Sequence, residues 1–187
     1  MKKITILSLL LVGAFFTTQA QITIGAKAGI NVANQKFDAD GFSISPDARL
    51  SYLIGGFAVI DISDNIGFQP ELLLSGKGAK SNGFKAKLTY IDLPLLGRYS
   101  FTEMFSVHAG PQISILASAK DEDGDDIKDG YTSTDLGLAV GGQVDLPMGL
   151  VGGLRYVLGL SDVNDAGGGT KVKNRTFQIY AGWKFMK

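Results

Sequence analysis

His108 is the only histidine in the chain, so a Ser/His/Asp arrangement would have to use it as the base. Ser106 or Ser114 would supply the nucleophile from the same strand face, and Asp92 or Asp135 the orienting carboxylate from other strands. No strained G-x-S-x-G turn presents either serine, and any polar lumen needs hydroxyls and carboxylates. The sequence therefore reads as that of a protein without catalytic residues, not an enzyme.

Glu71, Asp92, Arg98 and Arg155 form a second constellation, because guanidinium forks can bridge carboxylates through paired hydrogen bonds. The expectation is a buried ion network across adjacent strands that fills a narrow interior and does not hold a ligand.

The segment KDEDGDDIKDG gathers Asp121, Glu122, Asp123, Asp125, Asp126 and Asp129, and oxygen clusters of this kind attract Ca²⁺. Its spacing departs from the EF-hand loop, since Gly124 stands where a ligand is wanted and no Glu closes a twelve-residue loop. Whether it binds Ca²⁺ stays open, and no metal or cofactor is assigned. Gly167 to Gly169 lack the following Gly-Lys-Ser/Thr of a phosphate loop and read as a loop tip.

These residues must be positioned by strands. The stretch ITIGAKAGINV alternates Ile22, Ile24, Ala26, Ala28, Ile30 and Val32 with Thr23, Gly25, Lys27, Gly29 and Asn31, a period of two. The same alternation recurs over 66–77, interrupted by Leu73, and over 91–99. It returns over 105–120, interrupted by Leu116, and then over 135–145, 150–158 and 176–185. The segment 51–60 is apolar on both faces; Tyr52, Ile54, Gly56, Ala58 and Ile60 are placed outward. Eight strands result.

Short connections at 61–65, 102–104 and 147–149 alternate with long polar ones near 33–48, 78–87, 120–133 and 161–174. That rhythm belongs to an up-and-down outer-membrane barrel, which leaves both chain ends on the periplasmic side.

Alternation alone does not distinguish a soluble barrel, apolar inside, from a membrane barrel, apolar outside. Three features favour the membrane form. Glycines (Gly25, Gly29, Gly67, Gly110, Gly137, Gly141, Gly153, Gly159, Gly182) crowd the polar face. Charges of both signs share that face: Lys27, Glu71, Asp92, Arg98, His108, Asp135, Asp145, Arg155 and Lys184. Phe68, Tyr99, Phe101, Phe105, Trp183 and Phe185 gather at the short-turn end as an interfacial girdle.

The N-terminus fits export. Lys2 and Lys3 precede an apolar run from Ile4 to Phe16, and Thr18-Gln19-Ala20 forms a small-x-small site before Gln21. The run is too short for the roughly 20 residues of a spanning helix. Residues 1–20 are read as a cleaved signal peptide and 21–187 as one barrel domain, with no later apolar run long enough to span as a helix.

Composition narrows the function classes. Lys+Arg and Asp+Glu are balanced at 18 each, so no basic field exists to hold nucleic acid. Cysteine is absent, which removes disulfides, zinc–thiolate sites, iron–sulfur clusters and thiol catalysis.

The segments GFQPELLLSGKGAK, YIDLPLLGRYSF, HAGPQISILASAK, GLRYVLGLSDV and FQIYAGWKF resemble, in order and spacing, the PorT-like outer-membrane β-barrel family common in Bacteroidota. The resemblance covers essentially the whole chain after residue 20. It implies location and fold more than activity, with PorT itself linked to type IX secretion and many relatives bearing a generic porin-family label. Phe185 is similar to the C-terminal aromatic recognised by the barrel-assembly machinery, although Met186 and Lys187 follow it.

The expected protein is a monomeric eight-stranded antiparallel barrel of the outer membrane, surrounded by lipid, acting structurally or through its extracellular loops. The alternatives are a narrow-solute or small-ligand barrel of porin-like type and, more remotely, a lipid-modifying enzyme.

Overall fold

The computed structural model describes residues 21–39, 42–44, 47–81, 84–164 and 171–186. The expected leader, residues 1–20, and the triple glycine at 167–169 lie outside them.

Eight long strands carry the fold: β1 (Ile22–Ala39), β2 (Asp47–Asp61), β3 (Ile66–Lys77), β4 (Lys87–Ser100), β5 (Phe105–Lys120), β6 (Thr134–Asp145), β7 (Leu150–Gly159) and β8 (Lys171–Met186). Each is antiparallel to its neighbours in sequence, and β1 pairs with both β2 and β8, so the sheet closes on itself. Closure leaves no sheet edge among these strands to satisfy in an apolar solvent. Among the described residues no helix is long and apolar enough to cross a membrane.

The alternation resolves as an inverted barrel. Ile30, Ile54, Leu72, Ile115, Val140, Leu154 and Ile179 are exposed on the outer surface, whereas Lys27, Gln69, Glu71, Asp92, His108, Gln112, Arg155 and Gln178 are buried inside. Such a partition is stable only where the surrounding medium is itself apolar. Strand β2 follows the expected phase, with Tyr52 and Ile54 outward and Leu53, Phe57 and Val59 inward. Leu73 and Leu116, which break the alternation, contribute apolar filling to the interior.

One phase assignment is corrected. A register shift opposite Thr89/Tyr90 pairs Leu116 with Tyr90 and Ser118 with Thr89, so that Ala117 bulges. The extra residue flips the remainder of the strand: Ala119, expected outside, is fully buried, and Lys120 is exposed.

The β1–β2 and β7–β8 connections are also shorter than expected, because their strands project past the apolar band. β1 runs to Ala39 and is met by a short strand Phe42–Ile44, while Ala79–Ser81 and Phe84–Lys85 form a small hairpin in the segment expected as the second loop. β8 already begins at Lys171. Polar residues in these segments read as loop by composition, but cross-strand pairing carries the ladder through them.

Five of the six expected girdle aromatics are exposed around the short-turn end, and Phe68 is half-buried. Tyr99, Phe101, Phe105, Trp183 and Phe185 are exposed there, and the Tyr99 and Phe101 rings meet edge to face at 5.1 Å.

Candidate functional site

Among the described residues, the interior of the barrel concentrates charge under burial, and the ions fall into three tiers along the axis. Each tier follows from strand parity, since every second residue of a strand must point inward.

The middle tier is built on Glu71 of β3. Its carboxylate accepts hydrogen bonds from Arg155 Nη1 and Nη2 at 2.7 and 2.8 Å, from Lys27 Nζ at 2.6 Å and from Gln69 Nε2 at 2.7 Å. Four donors match the capacity of one ionised carboxylate. Arg155 Nε donates to His108 Nε2 at 3.0 Å, which requires that nitrogen to carry no proton. The Tyr180 ring covers both cations, 4.3 Å from Lys27 Nζ and 5.4 Å from Arg155 Cζ.

The tier nearer the short turns joins Arg98 to Asp145, with Lys184 Nζ 2.8 Å from the same carboxylate and Gln143 Nε2 donating to it at 2.9 Å. The tier nearer the long loops centres on Lys77, whose Nζ lies 3.0 Å from Asp92 and 3.9 Å from Asp135 and donates to Ser114 Oγ at 2.8 Å. Asp135 also accepts from Asn174 and Ser161 at 2.9 Å each.

The expected quartet is therefore divided. Glu71 and Arg155 meet, but on β3 and β7, which stand opposite one another in the closed ring and are not adjacent strands. Asp92 belongs with Lys77, and Arg98 with Asp145, because each lies too far along its strand to share the middle tier. Lys27, Lys77, Asp145 and Lys184 complete these pairs. Each is visible in the sequence as an inward charge, but its partner depends on ring closure.

Apolar groups fill the space between tiers: Phe57, Val59 and Val151 in one cluster, Leu96, Ala139 and Val157 in another. Glycines make room for the rings. A β-carbon at Gly153 would stand 2.4 Å from the Tyr180 ring, and one at Gly25 would stand 2.5 Å from the Phe57 ring.

At the long-loop end, Ile127 and Tyr131 of the β5–β6 connection pack on Leu88, Tyr90, Leu116 and Ala119. Thr132 N–H donates to the Val163 carbonyl of the next connection, and Tyr131 bridges to Asn164. The β5–β6 connection and residues 163–164 thus pair at this end of the barrel.

Hydrolytic chemistry finds no support in this geometry. Ser106 donates to the Gln143 carbonyl at 3.5 Å, Ser114 accepts from Lys77 and Gln112, and His108 is engaged by Arg155. In the acidic loop, Asp121 Oδ1 accepts the Gly124 and Asp125 backbone N–H groups, and Asp126 Oδ1 accepts that of Lys128. These carboxylates shape the turn, and among the described residues no group of three or more His, Cys, Asp or Glu side chains converges on a metal position.

A closed antiparallel barrel with an apolar exterior and an ion-filled interior defines the class: an eight-stranded barrel of the outer-membrane type. Residues 6–185 match the family model described as outer membrane protein beta-barrel domain, and the chain belongs to that family. This places it among outer-membrane barrels, a wider group than the PorT-like proteins its motifs resemble. The fold is similar to that of Ail, the attachment invasion locus protein of Yersinia pestis, at 16% identity and a TM-score of 0.54, with 87% of this chain and 98% of that one covered. The Ail complex with the heparin analogue sucrose octasulfate gives 17% identity, a TM-score of 0.53 and coverage of 88% and 99%. Neisserial surface protein A gives 19%, 0.51, 89% and 99%. At these identities the likeness is one of fold. No curated protein matches the chain in sequence.

Proposed function

We propose that this outer-membrane barrel has a structural or interaction role exerted through its long-loop end, and that it neither conducts solutes nor turns over a substrate. The observation that carries the reading is the Glu71–Arg155 pair, which spans the lumen between opposed strands with Lys27 and Tyr180 packed against it. A porin needs a continuous aqueous path, and eight strands enclose little more than their own side chains. The β5–β6 connection and the described residues 160–164 beside it then supply the surface that a partner meets. In this orientation the long loops are extracellular and both termini periplasmic. The occurrence of a polyanion analogue on Ail is compatible with recognition at such a surface.

Purified protein in planar bilayers, bathed in molar KCl, is expected to give no unit conductance. A stable, ion-selective conductance from the wild type would overturn the closed-lumen reading and favour the narrow-solute alternative. Washed membranes are expected to retain the protein, with an unboiled gel band that migrates faster than the boiled one.

The finer placement, as an accessory of PorT-type secretion, rests on the strand motifs alone. Deletion of the gene with measurement of exported cargo tests it: unchanged export removes that role and leaves the barrel assignment intact.

A further inference from the structure

At the short-turn end the barrel opens into a cavity of about 940 Å³, within the usual size range of small-ligand pockets. Its buried wall is charged: Arg98 of β4, Asp145 of β6 and Lys184 of β8 line it with side chains only 7%, 13% and 15% exposed. Val59, which also lines the cavity, packs with Phe57 and Val151, and that apolar cluster stands between the cavity and the Glu71 tier. The cavity is therefore a blind vestibule and not the mouth of a channel.

On that wall two cations share one carboxylate. Arg98 Nη2 and Lys184 Nζ both reach Asp145 Oδ2, the latter at 2.8 Å, so the trio carries a net positive charge. Arg98 also has a donor left over, since its buried Nε–H finds no acceptor among the described residues. Asp61 and Glu103 line the same cavity as exposed carboxylates, so charge runs from cationic in the buried part to anionic at the lip. Met104, Leu146, Met148 and Leu150 supply apolar lining. Met148 is 80% exposed and holds φ 67°, ψ 13°, a left-handed backbone that glycine or asparagine adopts at lower cost. A strained residue that displays a large apolar side chain at the lip of a cavity points to a contact made there.

We infer that this vestibule binds short peptides with both ends free, the carboxylate at Arg98 and Lys184, the ammonium at Asp61 and Glu103, and apolar side chains against Met104 and Met148. A carboxylate takes up donors that Asp145 leaves unused and offsets the excess positive charge of the trio. Because the two signs lie at different depths, the ligand's ends must stand apart. They are roughly 10 Å apart in an extended tripeptide, whereas in a single amino acid they share one carbon. That the peptides come from the periplasm rests on the outer-membrane orientation proposed above; the site itself rests on the cavity and its charges.

The test is calorimetric titration of the whole barrel in dodecylmaltoside with the tripeptide Ala-Leu-Ala, which is expected to bind at one site. Its C-terminal amide should bind about tenfold more weakly or worse, the loss of one charge-assisted contact, its N-acetyl form several-fold more weakly, and free leucine not measurably. Lys184→Met should narrow the difference between free acid and amide, and Asp61→Asn with Glu103→Gln the difference between free and acetylated peptide. A merely structural effect would weaken every form alike. Met148→Asn should weaken all forms while the temperature at which the fast-migrating folded band is lost stays equal or rises, since backbone strain is relieved. Asp61 and Glu103 are exposed, so their variants give an answer even where Lys184→Met fails to fold. No binding of Ala-Leu-Ala, equal binding of its amide or acetyl form, or charge variants that weaken all peptides equally would each overturn the inference. Failure of the outer-membrane reading appears differently, as absence of the heat-modifiable band without any peptide.

Discussion

Glu71 and Arg155 stand on opposite walls of the barrel and meet across its axis through two hydrogen bonds of 2.7 and 2.8 Å. Because Lys27 and Gln69 donate to the same carboxylate, the lumen is crossed by a four-donor knot and not by a single bridge. Removing one member leaves the others charged and buried, which is the costly way to break an ion pair.

Glu71→Gln is therefore expected to destabilise the folded barrel by about 3–5 kcal/mol, leaving Lys27 and Arg155 uncompensated. Replacing all three ions by apolar residues (Lys27→Met, Glu71→Leu, Arg155→Met) should recover most of that loss. Urea unfolding in detergent micelles, read by the gel shift, checks both. Equal stability of the Glu71→Gln variant and wild type would refute the knot.

The tier at the short-turn end is more open, with Lys184 and Asp145 side chains still 15% and 13% exposed. Lys184→Met leaves Asp145 paired with Arg98 and should cost no more than about 1 kcal/mol. A loss as large as that of Glu71→Gln would mean that the three tiers act as one network.

The apolar exterior makes a sharp contrast possible. Ile179 lies between Phe177 and Trp183/Phe185 on the outer face and is 49% exposed. In a lipid bilayer Ile179→Arg should cost about 2–4 kcal/mol. On a water-facing surface the same change would fall within about 0.5 kcal/mol of neutral. Refolding equilibria in phosphatidylcholine vesicles give the number.

Gly153→Val places side-chain atoms where the Tyr180 ring lies, with its β-carbon 2.4 Å from that ring. A lower folding yield is expected, partly restored by Tyr180→Ala. No recovery would assign the whole cost to the neighbouring backbone, since the Gly142 carbonyl oxygen is 2.8 Å from the same point.

Tyr131→Ala removes the larger of the two residues that seat the β5–β6 connection on the mouth. Trypsin is then expected to cut faster after Lys128, with the barrel itself left folded. An unchanged cutting rate would show that Ile127 and the backbone bridges hold that connection alone.

Strand number, strand phase and the identity of the inward charges were legible in the sequence, because alternation is local: a residue's face is set by its parity. Leu73 and Leu116 looked like defects in that pattern and are the apolar packing between ions. What parity does not carry is a bulge, so Ala119, outward by parity, is inside once Ala117 bulges. Nor does composition tell a polar loop from a polar strand that projects beyond the apolar band, as the ends of β1 and β8 do.

The sequence by itself determined that Glu71, Asp92, Arg98 and Arg155 would share an interior with Lys27, His108 and Lys184. Only the tertiary structure decided which of them meet. Closure sets β3 opposite β7 and seats β8 beside β1, and the stagger of the strands fixes the height of each side chain. The same closure places Lys36 against Lys173, a relation between residues far apart in the chain that no local period encodes.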